Sequence, residues 1–186
     1  MMEIDKQYLK DIRYLRMARI WSENSYAIRL KVGCLVVSKD GNIISDGYNG
    51  TPIGFENVCE YSEDKSREPF RDLPDERKRA YLKKISQEGV KLISKPYVLH
   101  AEANAITKLA RSTQSSEGAT LYCTDMPCME CSKLIIQAGV KRVVYERPYR
   151  ITDGEELLKR AGVEVVNIPT EIIDSVNSGK NVKQIP

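Results

Sequence analysis

A chain of 186 residues with 41% hydrophobic content is long enough for one domain with a real core and one sizeable excursion. A formal net charge of +3 and a pI near 8.5 are too mild to mark a nucleic-acid binder, and they suit a small anionic substrate. No apolar run approaches the roughly 18 residues of a membrane span, and Met1-Met2-Glu3-Ile4-Asp5-Lys6 lacks a signal-peptide layout, so a soluble cytoplasmic protein with no membrane partner is expected.

Tyr8, Ile12, Leu15, Ile20 and Trp21 recur at near-helical spacing, so residues 5–23 read as an amphipathic helix. Two β-rich runs follow, 32–37 and 43–47. Between them lies Lys39-Asp40-Gly41-Asn42, whose Asp-Gly step predicts a hairpin. Residues 56–95 break this rhythm with nearly balanced acids and bases. Within them 75–93 predicts a charged helix, with Pro74 near its first turn and Ala80, Leu82, Ile85, Val90 and Ile93 as sparse apolar positions. This segment reads as a solvated helical insertion, with a lid or a subunit contact as the functional alternative. Beyond it come a helix over 101–111, a polar loop over 112–118, a strand over 119–124 and a helix over 129–138. A strand over 140–145, a helix over 154–161 and a strand over 163–168 complete the series. The alternation implies an α/β fold with parallel strands and helices on both faces of the sheet. A single domain over 1–169 is expected, then a short helix at 171–176 and a loose tail over 177–186.

Histidine occurs once, in His100-Ala101-Glu102, and Pro127-Cys128-Met129-Glu130-Cys131 follows downstream. A catalytic zinc keeps three protein ligands and leaves a fourth position for water; His100, Cys128 and Cys131 can supply the three. Cys128 and Cys131 share one helix face, Pro127 suits a first helical position, and the positive helix end favours thiolates. His100 and Glu102 are two residues apart, so the pair is expected to straddle a helix entry. One side chain then binds metal while the Glu102 carboxylate moves protons. A Cys-x-x-Cys pair alone would equally suit structural zinc or a redox pair; the His-x-Glu favours the catalytic reading. Five cysteines, an odd number, argue against a disulfide framework and for a reducing compartment. Cys34 and Cys123, in apolar runs, read as buried thiols, and Glu130 as an acid placed favourably in a first helical turn.

The His-x-Glu and Pro-Cys-x-x-Cys pattern is the signature of zinc nucleobase deaminases. With Gly47-Tyr48-Asn49-Gly50-Thr51-Pro52 before it and Ser132-Lys133-Leu134-Ile135-Ile136-Gln137-Ala138-Gly139-Val140 after it, the chain resembles the deoxycytidylate (dCMP) deaminases. The resemblance implies a three-layer α-β-α cytidine-deaminase-like fold with a mixed five-stranded sheet. It implies hydrolytic conversion of dCMP to dUMP and ammonia, feeding thymidylate synthesis, in a homo-oligomer that is usually a hexamer. Regulation by dCTP and dTTP is implied as well, with Mg2+ as the companion of a triphosphate effector. By the same resemblance Asn49 contacts the nucleotide, Arg29 grips the 5′-phosphate through a bidentate fork, and Tyr149 closes over the base. A turn residue, a solvated surface charge and an ordinary loop aromatic are the respective plain alternatives. Thr51, Gly54, Phe55 and Asn57 fall in the loop where such relatives build their effector site. Relatives with a second, structural zinc use another histidine and a Cys-Cys pair there. Here Asn57-Val58-Cys59 occupies that place and no second histidine exists, so one Zn2+ per chain is expected. A tRNA adenosine deaminase and a non-catalytic zinc-binding accessory module are the alternatives. Few aromatics beyond tyrosine and a nearly balanced charge speak against an RNA or other nucleic-acid partner.

Overall fold

Helix α1 (Lys6–Ser22) begins where the Asp5 carboxylate accepts a hydrogen bond from the Tyr8 backbone N–H at 2.7 Å, satisfying one of the free donors of its first turn. The computed structural model describes residues 2–69, 71–149, 152–177 and 182–184. Strand β1 (Met2–Ile4) precedes α1. After it come β2 (Gly33–Val37), β3 (Ile43–Tyr48), β4 (Glu60–Ser62), α2 (Asp75–Gln87) and β5 (Leu92–Ser94). The second half runs α3 (Ala101–Leu109), β6 (Thr120–Asp125), α4 (Met129–Gln137), β7 (Arg142–Arg147), α5 (Asp153–Arg160), β8 (Glu164–Asn167), α6 (Thr170–Asn177) and β9 (Val182–Gln184).

Five strands form the main sheet in the order β3-β2-β6-β7-β8. β2 is antiparallel to both neighbours, while β6, β7 and β8 run parallel, as their helical crossovers require. The alternating pleat divides the core in two. Cys34, Val36, Leu121, Cys123 and Val143 face Ala101, Ala105, Ile135 and Leu158 of α3, α4 and α5. Leu35, Val37, Tyr122 and Val144 face Ile12, Leu15, Ala18 and Ile173 of α1 and α6. This is the three-layer α-β-α arrangement with a mixed five-stranded sheet. Cys34 and Cys123 lie opposite each other on β2 and β6, fully buried as free thiols.

Buried ion pairs tie the α1 layer to the sheet. Asp11, 1% exposed, accepts both terminal nitrogens of Arg142 at 2.8 Å and the Tyr122 hydroxyl at 2.8 Å. Higher up, Arg19 forks onto the buried Glu146 carboxylate at 2.7 and 2.8 Å, and Thr170 donates to the same group.

The insertion is more structured than its charge pattern suggests. α2 stops at Gln87 rather than continuing to 93, because Gly89 takes a left-handed conformation (φ +92) that ends the helix. Leu92–Ser94 then forms a strand antiparallel to β4, with Glu60 opposite Ser94. Val58, Leu82, Ile85 and Leu92 make a separate small core against Ile28, so the segment is a packed subdomain element instead of a solvated helix. The expected loose tail is corrected in part: Val182–Gln184 pairs in parallel with Met2–Ile4, satisfying backbone groups at both ends of the described chain. Among the described residues no helix is long and apolar enough to cross a membrane.

Candidate active site

Two helices begin at one place. His100 is the N-cap of α3 and Cys128 the N-cap of α4; both have extended backbones and neither makes a side-chain capping bond. Each side chain is thereby released from its helix, and the free N–H groups and positive dipole ends of both helices point toward the pair. His100 is held from behind by the antiparallel bridge between Gly50 and Leu99, with backbone bonds of 3.1 and 2.8 Å. Gly47 lets α3 approach β3 at backbone distance, since a Cβ there would lie 2.7 Å from Ala105 N and closer still to Ala101 O. Cys128 is reached from the end of β6, where Arg147 forks onto Asp125 at 3.0 and 2.6 Å and so joins the ends of β6 and β7.

His100 Nδ1 lies 3.4 Å from Cys128 Sγ and 3.5 Å from Cys131 Sγ, and the three donors all fall within 4.8 Å of one another. A tetrahedral zinc with bonds of about 2.0 Å to nitrogen and about 2.3 Å to sulfur sets such donors about 3.6 Å apart, so the set fits the ion. The Cys128 thiol is pushed down to about 3, first by its hydrogen bond with Cys131 and then by that with His100; Cys131 is pushed up by the same contact. His100 is raised, chiefly by Cys128. Burial grades from the exposed His100 to the buried Cys131, leaving one side of the cluster open to solvent.

Glu102, in the first turn of α3, is 3% exposed, and its Oε2 has no hydrogen-bond partner. Burial raises its carboxyl to about 7, against a bond from the backbone N–H at residue 102 and the pull of His100. A carboxyl poised near neutrality beside a three-ligand metal site can both take and give a proton.

The remaining candidate residues are distributed around this centre. Asn49 is tied to the chain at both ends of its amide: its Oδ1 accepts from Val32 N at 2.8 Å and its Nδ2 donates to Leu30 O at 2.8 Å. Arg29 is exposed, and its guanidinium donates to Ser94 Oγ at 3.0 Å. Tyr149 is 45% exposed after β7. Thr51 and Asn57 line a cleft of about 390 Å³ with Tyr26, Tyr48, Lys108 and Arg111, whose wall also includes Gly50 and Leu99 beside His100. Gly54 has φ +89, and Phe55 packs on Tyr97 with ring centres 5.1 Å apart. Glu130 pairs with Lys133 at 2.6 Å on the helix surface, away from the ligands. Two contributors escape sequence reasoning: Gly154, against which the Cys128 turn packs, and Glu60, whose partners at Ile28 and Arg29 are distant in the chain.

A three-layer α-β-α sheet with one histidine and two cysteines meeting at helix starts beside a buried glutamate defines a zinc-dependent deaminase. The profile described as "Cytidine and deoxycytidylate deaminase zinc-binding region" matches residues 9–147, and the chain belongs to this family. It is 34% identical over 184 residues to the deoxycytidylate deaminase of Enterobacteria phage T4, covering 91% of this chain and 95% of that one. It is 35% identical over 176 residues to the enzyme of that name from Enterobacteria phage T2, covering 87% and 93%. The dCMP deaminase of cyanophage S-TIM5, solved in complex with dCMP and dUMP, aligns with a TM-score of 0.64 at 40% identity, covering 84% of this chain and 94% of that one.

Proposed function

We propose that the chain deaminates dCMP to dUMP and ammonia, with one zinc held by His100, Cys128 and Cys131. The observation that carries this reading is the buried Glu102 carboxyl with an unpartnered oxygen beside a donor set of zinc dimensions. Similarity to phage deoxycytidylate deaminases over 84–91% of this chain supports dCMP as the substrate. When bound, zinc supplies Lewis acidity and a water that ionises near neutrality. Glu102 takes one proton from the water and passes it to the ring nitrogen next to the amino-bearing carbon, then takes the remaining hydroxyl proton from the adduct and delivers it to the departing amine. Water thus adds at that carbon, the C–N bond breaks, and the carbonyl of dUMP and ammonia result.

Arg29 is the candidate for the 5′-phosphate, because its charge is exposed on a loop that hydrogen-bonds to the strand end leading to Gly50 and Leu99. Asn49 acts in this reading by shaping that loop, and Tyr149 by covering the base. Regulation by dCTP and dTTP, with Mg2+ on a triphosphate, is placed at the Thr51–Asn57 loop; its cleft offers two tyrosines and two cations. A cytoplasmic homo-oligomer, hexameric as in the resemblance above, completes the proposal, with the product feeding thymidylate synthesis.

The test is ammonia release from zinc-loaded protein given dCMP, CMP, deoxycytidine or tRNA. Preference for dCMP over CMP and deoxycytidine is expected. Deamination of tRNA alone, or no turnover with any of the four, would overturn the reading.

A further inference from the structure

The loop from Ala27 to Val32 has no regular structure, yet it is fastened from three directions. Glu60 Oε1 accepts the backbone N–H groups of Ile28 and Arg29 at 2.9 and 3.2 Å. Ser94 Oγ accepts from the Arg29 guanidinium at 3.0 Å. Asn49 holds Leu30 O and Val32 N from the opposite side, and Lys31 Nζ reaches Glu23 O at 3.1 Å. Glu60 and Ser94 are register partners across β4 and β5, so their side chains stand on one face of the hairpin and reach the loop together.

Glu60 is a costly residue to use only for packing. It is 1% exposed, among the described residues no cation forms a direct ion pair with it although Arg29 and Lys95 attract its charge, and its second oxygen is buried without a partner. Burying a carboxyl with one oxygen unpartnered is unfavourable, so its place here is set by the two N–H groups that its other oxygen fastens. The Glu60 side chain supplies a fixed acceptor at the base of Arg29 while Ser94 fixes its tip. A side chain of long, flexible stem is then held in one orientation before any anion arrives.

We propose that Glu60 and Ser94, supplied by the insertion, are positioning residues that present Arg29 to the phosphate of the substrate, so that the insertion sets selectivity for the nucleotide over the nucleoside. This rests on the reading of Arg29 as the phosphate-binding group. Neither residue touches the reacting atoms; both act through Arg29.

The experiment compares KM and kcat for dCMP and deoxycytidine in zinc-loaded wild type, Glu60→Ala, Glu60→Gln, Ser94→Ala, Arg29→Ala and the Arg29→Ala double variants. Glu60→Ala should lower the dCMP-to-deoxycytidine selectivity about tenfold, chiefly through KM for dCMP, and Ser94→Ala about threefold. Glu60→Gln, which keeps an acceptor for both N–H groups, should restore selectivity to within about twofold. In the Arg29→Ala background neither second change should lower selectivity further, the coupling expected of residues that act through one another. Equal losses for both substrates, or full additivity with Arg29→Ala, would assign Glu60 and Ser94 to folding and overturn the proposal. If Arg29→Ala is selective for dCMP while Glu60→Ala and Ser94→Ala are not, the proposal falls and the Arg29 reading stands; if Arg29→Ala spares selectivity, both fall. Should Glu60→Ala fail to fold, the surface residue Ser94 carries the same test.

Discussion

Gly154→Ala should disable metal binding from a helix that contributes no ligand. Gly154 lies buried in the first turn of α5, against the turn that carries Cys128. An added Cβ would stand 2.9 Å from Ser132 Oγ and 3.0 Å from the Cys128 carbonyl carbon, and nearer still to Pro127 O. Non-bonded carbons rest at about 3.5–4.0 Å, so α5 or the cysteine turn must retreat by about 0.5–1 Å. Metal–ligand distances tolerate only about 0.2 Å, which makes the turn the sensitive partner. Overpacking of this kind costs about 1–3 kcal/mol, or about 2–12 °C in Tm for a domain of this size. The assay is thermal unfolding with and without chelator, together with zinc per chain after dialysis against a competing chelator. The control is Gly162→Ala at the other end of α5. There φ is +77 and nothing lies within 4 Å, so strain should cost about 1 kcal/mol and zinc retention should not change. If Gly154→Ala holds zinc as tightly as the control, contact across this joint does not set the ligand geometry.

Glu102→Gln should keep its zinc and lose turnover by about 10²–10⁴-fold; near-normal turnover in a zinc-loaded variant would refute the proton-transfer role. Asp11→Ala leaves Arg142 with only Glu164 and removes the acceptor of the Tyr122 hydroxyl, and should cost up to about 3–5 kcal/mol in urea unfolding while zinc per chain stays constant. Burial raises the Glu60 carboxyl, with bonds from Arg29 N and Ile28 N acting the other way. The folded protein therefore holds that proton to higher pH than the unfolded chain. Stability from this group is fully present below the unfolded value of about 4.3 and declines as pH rises through the folded value. Glu60→Gln should flatten that decline in unfolding free energies measured from pH 4 to 8.

The metal centre is legible in the sequence because its chemistry is local. Cys128 and Cys131 are one helical turn apart, and His100 and Glu102 straddle a helix start, so spacing predicts each pair, while the meeting of His100 with cysteines 28 and 31 residues away is read from the resemblance. The hairpin of β2 and β3 and the parallel run β6 to β8 follow equally from turn chemistry and alternation. The insertion is harder to read. Val90 and Ile93 extend the apolar spacing of α2, and only the left-handed turn at Gly89 reveals that Leu92–Ser94 belongs to a strand. Asn49 and Glu60 are legible as polar residues but not as clamps, since their partners at Leu30, Val32, Ile28 and Arg29 are brought to them by the fold.

The pairing of β2 with β6 has a kinetic side. Between Val37 and Thr120 the chain must loop out β3, the whole insertion and α3 before the central strands can meet. Loop-closure entropy grows only logarithmically: each doubling of loop length adds about 0.6 kcal/mol, and residues 56–95 roughly double this one. The insertion therefore burdens equilibrium stability very little. Its weight falls on rate, because such distant contacts form late and leave the edges of the growing sheet unpaired for longer. Shortening the excursion would mainly quicken the joining of β2 and β3 to the later half of the chain, which carries both His100 and Cys128.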